Sequence, residues 1–206
     1  MYCKAKKYIL KVEYCEEFSD AQLDKLCNLA YSRNAEIRSK VASLLVDQYS
    51  ERNETVLYHL TFDKEDIVKL EAVDSLCIGK TEMSLQRLKK LCRDDDYYVR
   101  YFAIQSFCDV FTRIHGQTAE AKQILITFLQ KLIIEEEVGL VRLAIYKGLF
   151  LCGDSDASAK IVSLLVDAMK KNDNSFISPA LNILCEMTDI LPNDLRKQVE
   201  FYMGEI

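Results

Sequence analysis

Cysteine and histidine are the residues of this chain that could support nucleophilic or metal chemistry. There are eight cysteines, and the two histidines, His59 and His115, stand far apart. Cysteine nucleophiles need a nearby base and zinc sites need closely spaced ligands, but no Cys-x-x-Cys pair occurs. We therefore expect no metal, no cofactor and no catalytic cysteine, and we interpret the cysteines of the apolar helical patterns as small core residues. These are Cys27, Cys77, Cys92, Cys108, Cys152 and Cys185.

Carboxylates could support general acid–base chemistry, and they occur in two runs, Asp94–Asp96 and Glu135–Glu137. Both runs fall between apolar helical stretches, which places them in solvated turns between helices. Acids there also favour the positive N-terminus of the following helix. The chain has no glycine-rich loop for phosphate. We predict a protein that is not an enzyme.

The composition favours helices and a protein partner. Two prolines and six glycines are too few for a β meander, and half of the chain is apolar. The net charge is −5, so we expect a partner with a basic surface, without direct binding of nucleic acid or membrane. An early apolar run ends at Lys11, too soon for the core of a signal peptide. No stretch has the roughly 18 apolar residues of a membrane span. We expect a cytoplasmic protein.

An amphipathic helix pattern recurs along the chain at anchor residues separated by 31, 31, 42 and 36 positions. Apolar residues lie one before, three after and seven after each anchor, and these positions share one helix face. The anchors are Arg38, Lys69, Arg100, Arg142 and Ser178.

Another apolar helical segment precedes each of these helices, and short polar turns join the two. The first such segment begins at Ser19 with Gln22 three residues later, a capping-box pattern. Helix pairs at this period predict an all-α fold, a right-handed α-solenoid of about five repeats in a single domain, 1–206. The predicted repeats span 19–50, 51–80, 81–116, 117–154 and 155–190. Residues 1–18 and 191–206 are predicted to cap the two ends; 1–18 also shows a strand-like alternation, but a helix is favoured.

Three of the second helices resemble the second-helix signature of HEAT repeats over roughly residues 20–190. The first match is Asp94–Asp96 with Val99-Arg100 and Ala103. The others are Asp66 with Val68-Lys69 and Ala72, and Glu137 with Val141-Arg142. The resemblance implies that turn acids pair with the helix-start bases of the same or an adjacent repeat. It therefore implies a structural ladder of Arg38, Lys69, Arg100, Arg142, Asp66 and Asp96. The fifth repeat departs from the pattern, because Ser178-Pro179 predicts an N-cap and a late helix start.

The resemblance also implies that the second helices line a concave binding surface. Positions two, five and nine after each anchor should face outward; they include Ala144 in the fourth repeat. Acids around rigid aromatic rings would suit a basic protein partner. The candidate partner-binding residues are Asp47, Glu71, Asp74, Tyr98, Tyr101, Phe102, Gln105 and Asp109.

Three functions fit this pattern. The favoured hypothesis is a non-catalytic immunity or antitoxin protein that neutralises a basic toxin, such as a nuclease, by binding it. A general adaptor or scaffold is its nearest alternative. The third is a nucleic-acid enzyme like the HEAT-like alkylpurine DNA glycosylases, but those have a basic groove and this chain has no Trp and is acidic.

Overall fold

The chain folds entirely into helices over the residues that the computed structural model describes, 2–15 and 17–204. In that part there are twelve α-helices and no β-strand, so the predicted all-α class is confirmed. Met1, Glu16, Glu205 and Ile206, which belong to the predicted caps, lie outside the described residues. The first six helices are α1 Tyr2–Val12, α2 Asp20–Leu29, α3 Ala35–Leu45, α4 Glu51–Leu60, α5 Asp66–Ser75 and α6 Glu82–Leu91. The next six are α7 Tyr97–His115, α8 Ala119–Glu135, α9 Gly139–Leu151, α10 Ser155–Lys170, α11 Asn174–Glu186 and α12 Asn193–Gly204. Short 3-10 turns follow α5 and α11, at Leu76–Ile78 and Thr188–Ile190.

The helices group into two compact units, Met1–Gly116 and Gln117–Ile206, where the sequence predicted one continuous array. The division falls at the predicted boundary between the third and fourth repeats. Gly116 has a φ of 73°, a left-handed conformation that glycine adopts without steric cost.

In the first unit, helix pairs stack in two layers. The first helices of successive pairs contact one another, α2 against α4 and α4 against α6. The second helices do the same, α3 against α5 and α5 against α7. The start of the chain is helical, and α1 packs on α2 and α3. This stacking gives each pair a neighbour that covers its apolar face.

The second unit packs around α9, which contacts α8, α10 and α11. The final helix, α12, packs against α10 and α11. Within residues 2–15 and 17–204, no helix combines the length and the apolar composition needed to cross a membrane.

Side-chain caps explain where several helices begin. The carbonyl oxygen of the Asn34 side chain accepts from the Ile37 amide at the start of α3. Ser50 and Thr81 cap α4 and α6 in the same way. At α2, the Gln22 side chain accepts from the Ser19 amide at 2.9 Å, as the predicted capping box requires.

The predicted core positions are buried in the first four repeats. They are Ile37, Val41 and Leu45; Val68, Ala72 and Leu76; Val99, Ala103 and Phe107; and Val141, Ile145 and Leu149. One predicted outward position, Ala144, is wrong, because it is 1% exposed at the centre of the second unit.

The fifth repeat was predicted one residue out of register. Its buried residues are Phe176, Ala180 and Leu184, while Cys185, predicted to be buried, is exposed. The helix α11 begins at Asn174, so Pro179 lies inside it and is not its first residue. The prediction was wrong because proline is also tolerated beyond the first helical position within the first turns of a helix, and buried Phe176 lies in the part of α11 that precedes it.

Candidate functional site

The Arg38 side chain joins the first repeat to the second through a bidentate ion pair with Asp63. Its Nε and Nη2 atoms donate to the Asp63 carboxylate at 2.6 and 2.8 Å. Its Nη1 atom donates to the Ser32 carbonyl at 2.8 Å. Both charged side chains are about nine-tenths buried, so the pair is desolvated and its geometry is fixed. The Arg38 hydrogen bonds, against an opposing effect of burial, lower the pKa of Asp63.

Lys69 repeats this arrangement one repeat later. Its ammonium lies 2.7 Å from the Asp94 carboxylate. Both acids lie in the turn between the helices of the following repeat. The sequence assigned the acidic positions to Asp66 and Asp96, but Asp66 is the exposed first residue of α5. Asp96 is the N-cap of α7 and accepts from the Tyr98 and Val99 amides.

Arg142 differs from these two bases, whereas Arg100 shares the backbone contact of Arg38. Arg100 reaches back to the turn and donates to the carbonyls of Asp94 and Asp95, at 2.9 and 3.1 Å. Arg142 is directed the other way along its helix, and its Nη2 atom donates to the Tyr146 hydroxyl at 3.2 Å. The predicted pairing of Arg100 with Asp96 is not among these contacts, since the Asp96 carboxylate accepts from backbone amides of α7.

Glu54 forms a buried polar cluster that sequence reasoning missed. It lies on α4, is 1% exposed, and its Oε1 atom accepts from the N-terminus of α6. The donors are the amides of Lys80 and Thr81 and the hydroxyls of Thr81 and Ser84, at 3.1, 3.0, 2.5 and 2.6 Å. Burial alone would raise the pKa of Glu54, but these hydrogen bonds together lower it. A glutamate inside an amphipathic helix ordinarily indicates a solvated position, so nothing in the sequence pattern indicates this role.

The predicted partner-binding residues lie on three helices that pack side by side. Glu71 and Asp74 are on α5, Asp47 follows the end of α3, and the remainder belong to α7. We call this set the second-helix face: Asp47, Glu71, Asp74, Tyr98, Tyr101, Phe102, Gln105 and Asp109. Every member is exposed or half-buried, and Tyr98, Phe102, Gln105 and Asp109 follow the spacing of one helix side.

Like charges lie close together on the second-helix face. Burial and the neighbouring charge of Asp74 raise the pKa of Glu71, and Lys40 partly offsets them. Lys40 is itself held 2.5 Å from Glu13 of α1. Burial, followed by the charges of Asp109 and Asp74, raises the pKa of the Cys77 thiol to about 11. Acids of α5 and α7 therefore act on the same small region of the surface.

Aromatic rings lie at one end of this face. Tyr98 is 43% exposed and its ring centroid lies 4.2 Å from that of Tyr97. Tyr101 and Phe102 make an edge-to-face contact at 5.1 Å. Rings that contact each other have little conformational freedom to lose when a partner binds.

The free cysteines and the two histidines are the groups that could support nucleophilic or metal chemistry. Among the described residues, no group of three or more His, Cys, Asp or Glu side chains could hold a metal ion. His59 contacts the ring of Tyr58, and His115 lies beside Phe111. A nucleophilic cysteine needs a lowered pKa. Burial instead raises the pKa of four thiols, Cys27, Cys77, Cys92 and Cys152.

Comparison with known proteins gives no family. No family model matches this chain, and no curated protein matches it. A crystal structure of an engineered protein is similar over 89% of this chain and 94% of its own, with 16% sequence identity and a TM-score of 0.44.

Proposed function

We propose that this protein is a non-catalytic binding protein whose second-helix face holds a partner protein with a basic surface. The observation that supports the proposal most is that Glu71 and Asp74 of α5 and Asp109 of α7 lie with aromatic rings on two helices that pack together. Burial, and then the repulsion of the Asp74 carboxylate, raise the pKa of Glu71. A cationic side chain placed between them would relieve that repulsion.

The aromatic residues supply the second part of the interaction. Charges steer the encounter, whereas binding energy comes mainly from a few desolvated anchors such as Tyr and Phe. Tyr98 and Phe102 share a side of α7 with Asp109, so one docked segment can contact both types of residue. A nucleic acid would meet the carboxylates with its own phosphates, which disfavours an enzyme of the DNA glycosylase type.

Within this class, we propose an immunity-type protein that neutralises a basic toxin by covering it. The support is the acidic composition of the chain together with the carboxylates and aromatic rings of the second-helix face. A general scaffold would have several partners of different charge. Quantitative capture with mass spectrometry distinguishes the two: a single basic partner supports neutralisation, and a set of unrelated partners supports a scaffold.

Charge reversal tests the binding face. In the variant E71K/D74K/D109K, like charges would meet across the interface, and we expect the affinity for a captured basic partner to fall at least a hundredfold. The milder variant E71Q/D74N/D109N removes the charges without reversing them and should show an intermediate loss. Both are compared with wild type by surface plasmon resonance.

A matched control reverses three exposed acids outside the face, Glu17, Glu137 and Asp189. It changes the net charge by the same amount, so an equal loss of affinity would show that only net charge matters. Melting curves verify that each variant is folded. Unchanged affinity in a folded E71K/D74K/D109K variant would refute the second-helix face as the binding surface.

A further inference from the structure

Arg142 is a ladder base that has no acidic partner among the described residues. Its Nε atom is buried and has no hydrogen-bond partner among the described residues. In the part of the chain that the structure describes, only the Tyr146 hydroxyl, at 3.2 Å, accepts from its guanidinium. Arg38, at the equivalent position, makes two hydrogen bonds to a carboxylate and one to a backbone carbonyl. Arg38 therefore shows which hydrogen bonds a guanidinium at this position makes when each of its nitrogen atoms has an acceptor.

The turn acid equivalent to Asp63 and Asp94 follows a longer helix in the second unit. In the first unit, α4 and α6 each have ten residues and deliver a turn acid to the preceding base. The helix α10 has sixteen residues, and the acid of the turn after it is Asp173. Asp173 instead accepts from the Ser175 hydroxyl at 2.5 Å. A buried donor left without an acceptor costs free energy, so its persistence in a folded protein calls for an explanation.

A second cation lies on the same tyrosine ring. The ammonium of Lys160, from α10, is 5.4 Å from the ring centroid of Tyr146, and the guanidinium carbon of Arg142 is 6.0 Å from it. No carboxylate pairs with either cation in the part of the chain that the structure describes. Tyr146 is buried, Arg142 is half-buried and Lys160 is exposed, so this cluster opens to solvent on one side.

We propose that Arg142, Tyr146 and Lys160 form a binding site for an oxyanion, either a carboxylate or a phosphate. A planar guanidinium donates to two oxygens of such a group, and a hydroxyl and an ammonium add further donors. The anion would take the place of the acid that completes the equivalent position in the first unit. This site lies in the second unit and does not depend on the function of the second-helix face.

Nuclear magnetic resonance tests this site with inorganic phosphate and with acetate, each titrated against chloride at matched ionic strength. We expect a saturating shift of the Arg142 Nε–H resonance and of the Tyr146 ring resonances with one oxyanion. Tighter phosphate binding identifies a phosphoryl ligand, and tighter acetate binding identifies a carboxylate. The variant R142Q should abolish the saturating response. K160Q should weaken binding about tenfold, the effect of one charge-assisted hydrogen bond.

The control variant K171Q removes an exposed lysine at the C-terminal end of α10, the helix that carries Lys160, and should leave the affinity for the oxyanion unchanged. If R142Q does not fold, K160Q and Y146F still test the site, because Lys160 is exposed and Y146F keeps the ring. A response that stays linear and equal for phosphate, acetate and chloride would overturn the proposal. So would a saturating response that K160Q and Y146F leave unaltered.

Discussion

Glu54 shows how one buried side chain can join two repeats. A carboxylate removed from water is unfavourable unless donors replace its hydration. Here the N-terminus of α6 supplies two amides and two hydroxyls to a single oxygen. The positive end of the helix dipole acts in the same direction. The charge is therefore stabilised by the helix that it helps to begin.

Removing the charge of Glu54 should destabilise the first unit. We expect E54Q to lower the free energy of unfolding by about 2–3 kcal/mol, because the neutral carbonyl oxygen of glutamine accepts weaker hydrogen bonds than the carboxylate and loses the attraction to the positive helix terminus. Urea unfolding measures the loss. E82Q, which neutralises an exposed acid in the first turn of α6, should change stability by only about 0.5 kcal/mol.

The effect of Glu54 should also depend on pH. Its pKa is lowered in the folded protein, so its contribution is present above its usual pKa and is lost as the pH falls through the folded value. The stability difference between wild type and E54Q should therefore shrink in acid. A difference that stays constant down to strongly acidic pH would contradict the ionised carboxylate.

Two double-mutant cycles should distinguish a ladder base that pairs with a turn carboxylate from one whose predicted acid bonds the backbone. We expect Arg38→Ala and Asp63→Ala to be coupled by about 1–3 kcal/mol, because their ion pair is bidentate and buried. Arg100→Ala and Asp96→Ala should be additive within about 0.5 kcal/mol, since Asp96 bonds backbone amides instead. Strong coupling in the second cycle would restore the pairing that the sequence predicted.

At the scale of helices, α11 contains an internal proline that its neighbours tolerate. Proline removes a backbone donor and its ring crowds the preceding turn, which costs about 3 kcal/mol inside a long helix. Pro179 is the sixth residue of α11, where fewer preceding turns are disturbed. Buried Phe176 and Ala180 hold the helix against α9 and α10 on either side of it.

Replacing Pro179 should stabilise the second unit. We expect P179A to raise the free energy of unfolding by about 1–2 kcal/mol, because it restores the missing amide and relieves the crowding. Thermal unfolding measures the change, and S178A, an exposed neighbour in the same helix, serves as the control. A lower melting temperature for P179A than for S178A would show that the proline ring itself packs favourably.

The sequence predicts helices and their buried faces well where the pattern is regular. The apolar spacing around Arg38, Lys69, Arg100 and Arg142 identified twelve buried positions correctly, because helical periodicity and burial have the same cause. It failed around Ser178, because Pro179 is compatible with two helical registers of the apolar residues and only the packing of α11 selects between them. It could not find Glu54, because the donors that stabilise this carboxylate come from a helix about 30 residues later. Nor could it identify the acid of each ladder pair. Neighbouring turn acids have the same chemistry, and only their distance from the base decides which one pairs with it.

For the molecule as a whole, the proposed association should respond to both salt and pH. We expect the association rate with a basic partner to fall as salt rises, because the Debye length is about 8 Å at physiological ionic strength. A bound cation would lower the raised pKa of Glu71, so binding releases a proton near that pKa. Affinity should therefore fall as the pH is lowered through the raised pKa of Glu71.

Stopped-flow association at several salt concentrations and titration calorimetry in two buffers of different ionisation enthalpy measure these effects. E71Q provides the control, because it has no proton to release at this position. An affinity that depends on pH equally in wild type and E71Q would assign the titration to another group.

The hydrogen bonds of Glu54 also restrict how the gene of this protein can change. Repeat proteins commonly gain and lose units by duplication and deletion, since each unit contacts only its neighbours. Deleting the segment that carries Thr81 and Ser84 would remove the donors of the α6 terminus from the Glu54 charge, and inserting a segment without equivalent donors before α6 would separate the same partners. A helix pair can therefore be lost or inserted after α5 only if the helix that follows begins with similar donors, or if Glu54 changes as well. Rearrangements of the gene at this point should keep a hydroxyl-rich helix start opposite Glu54.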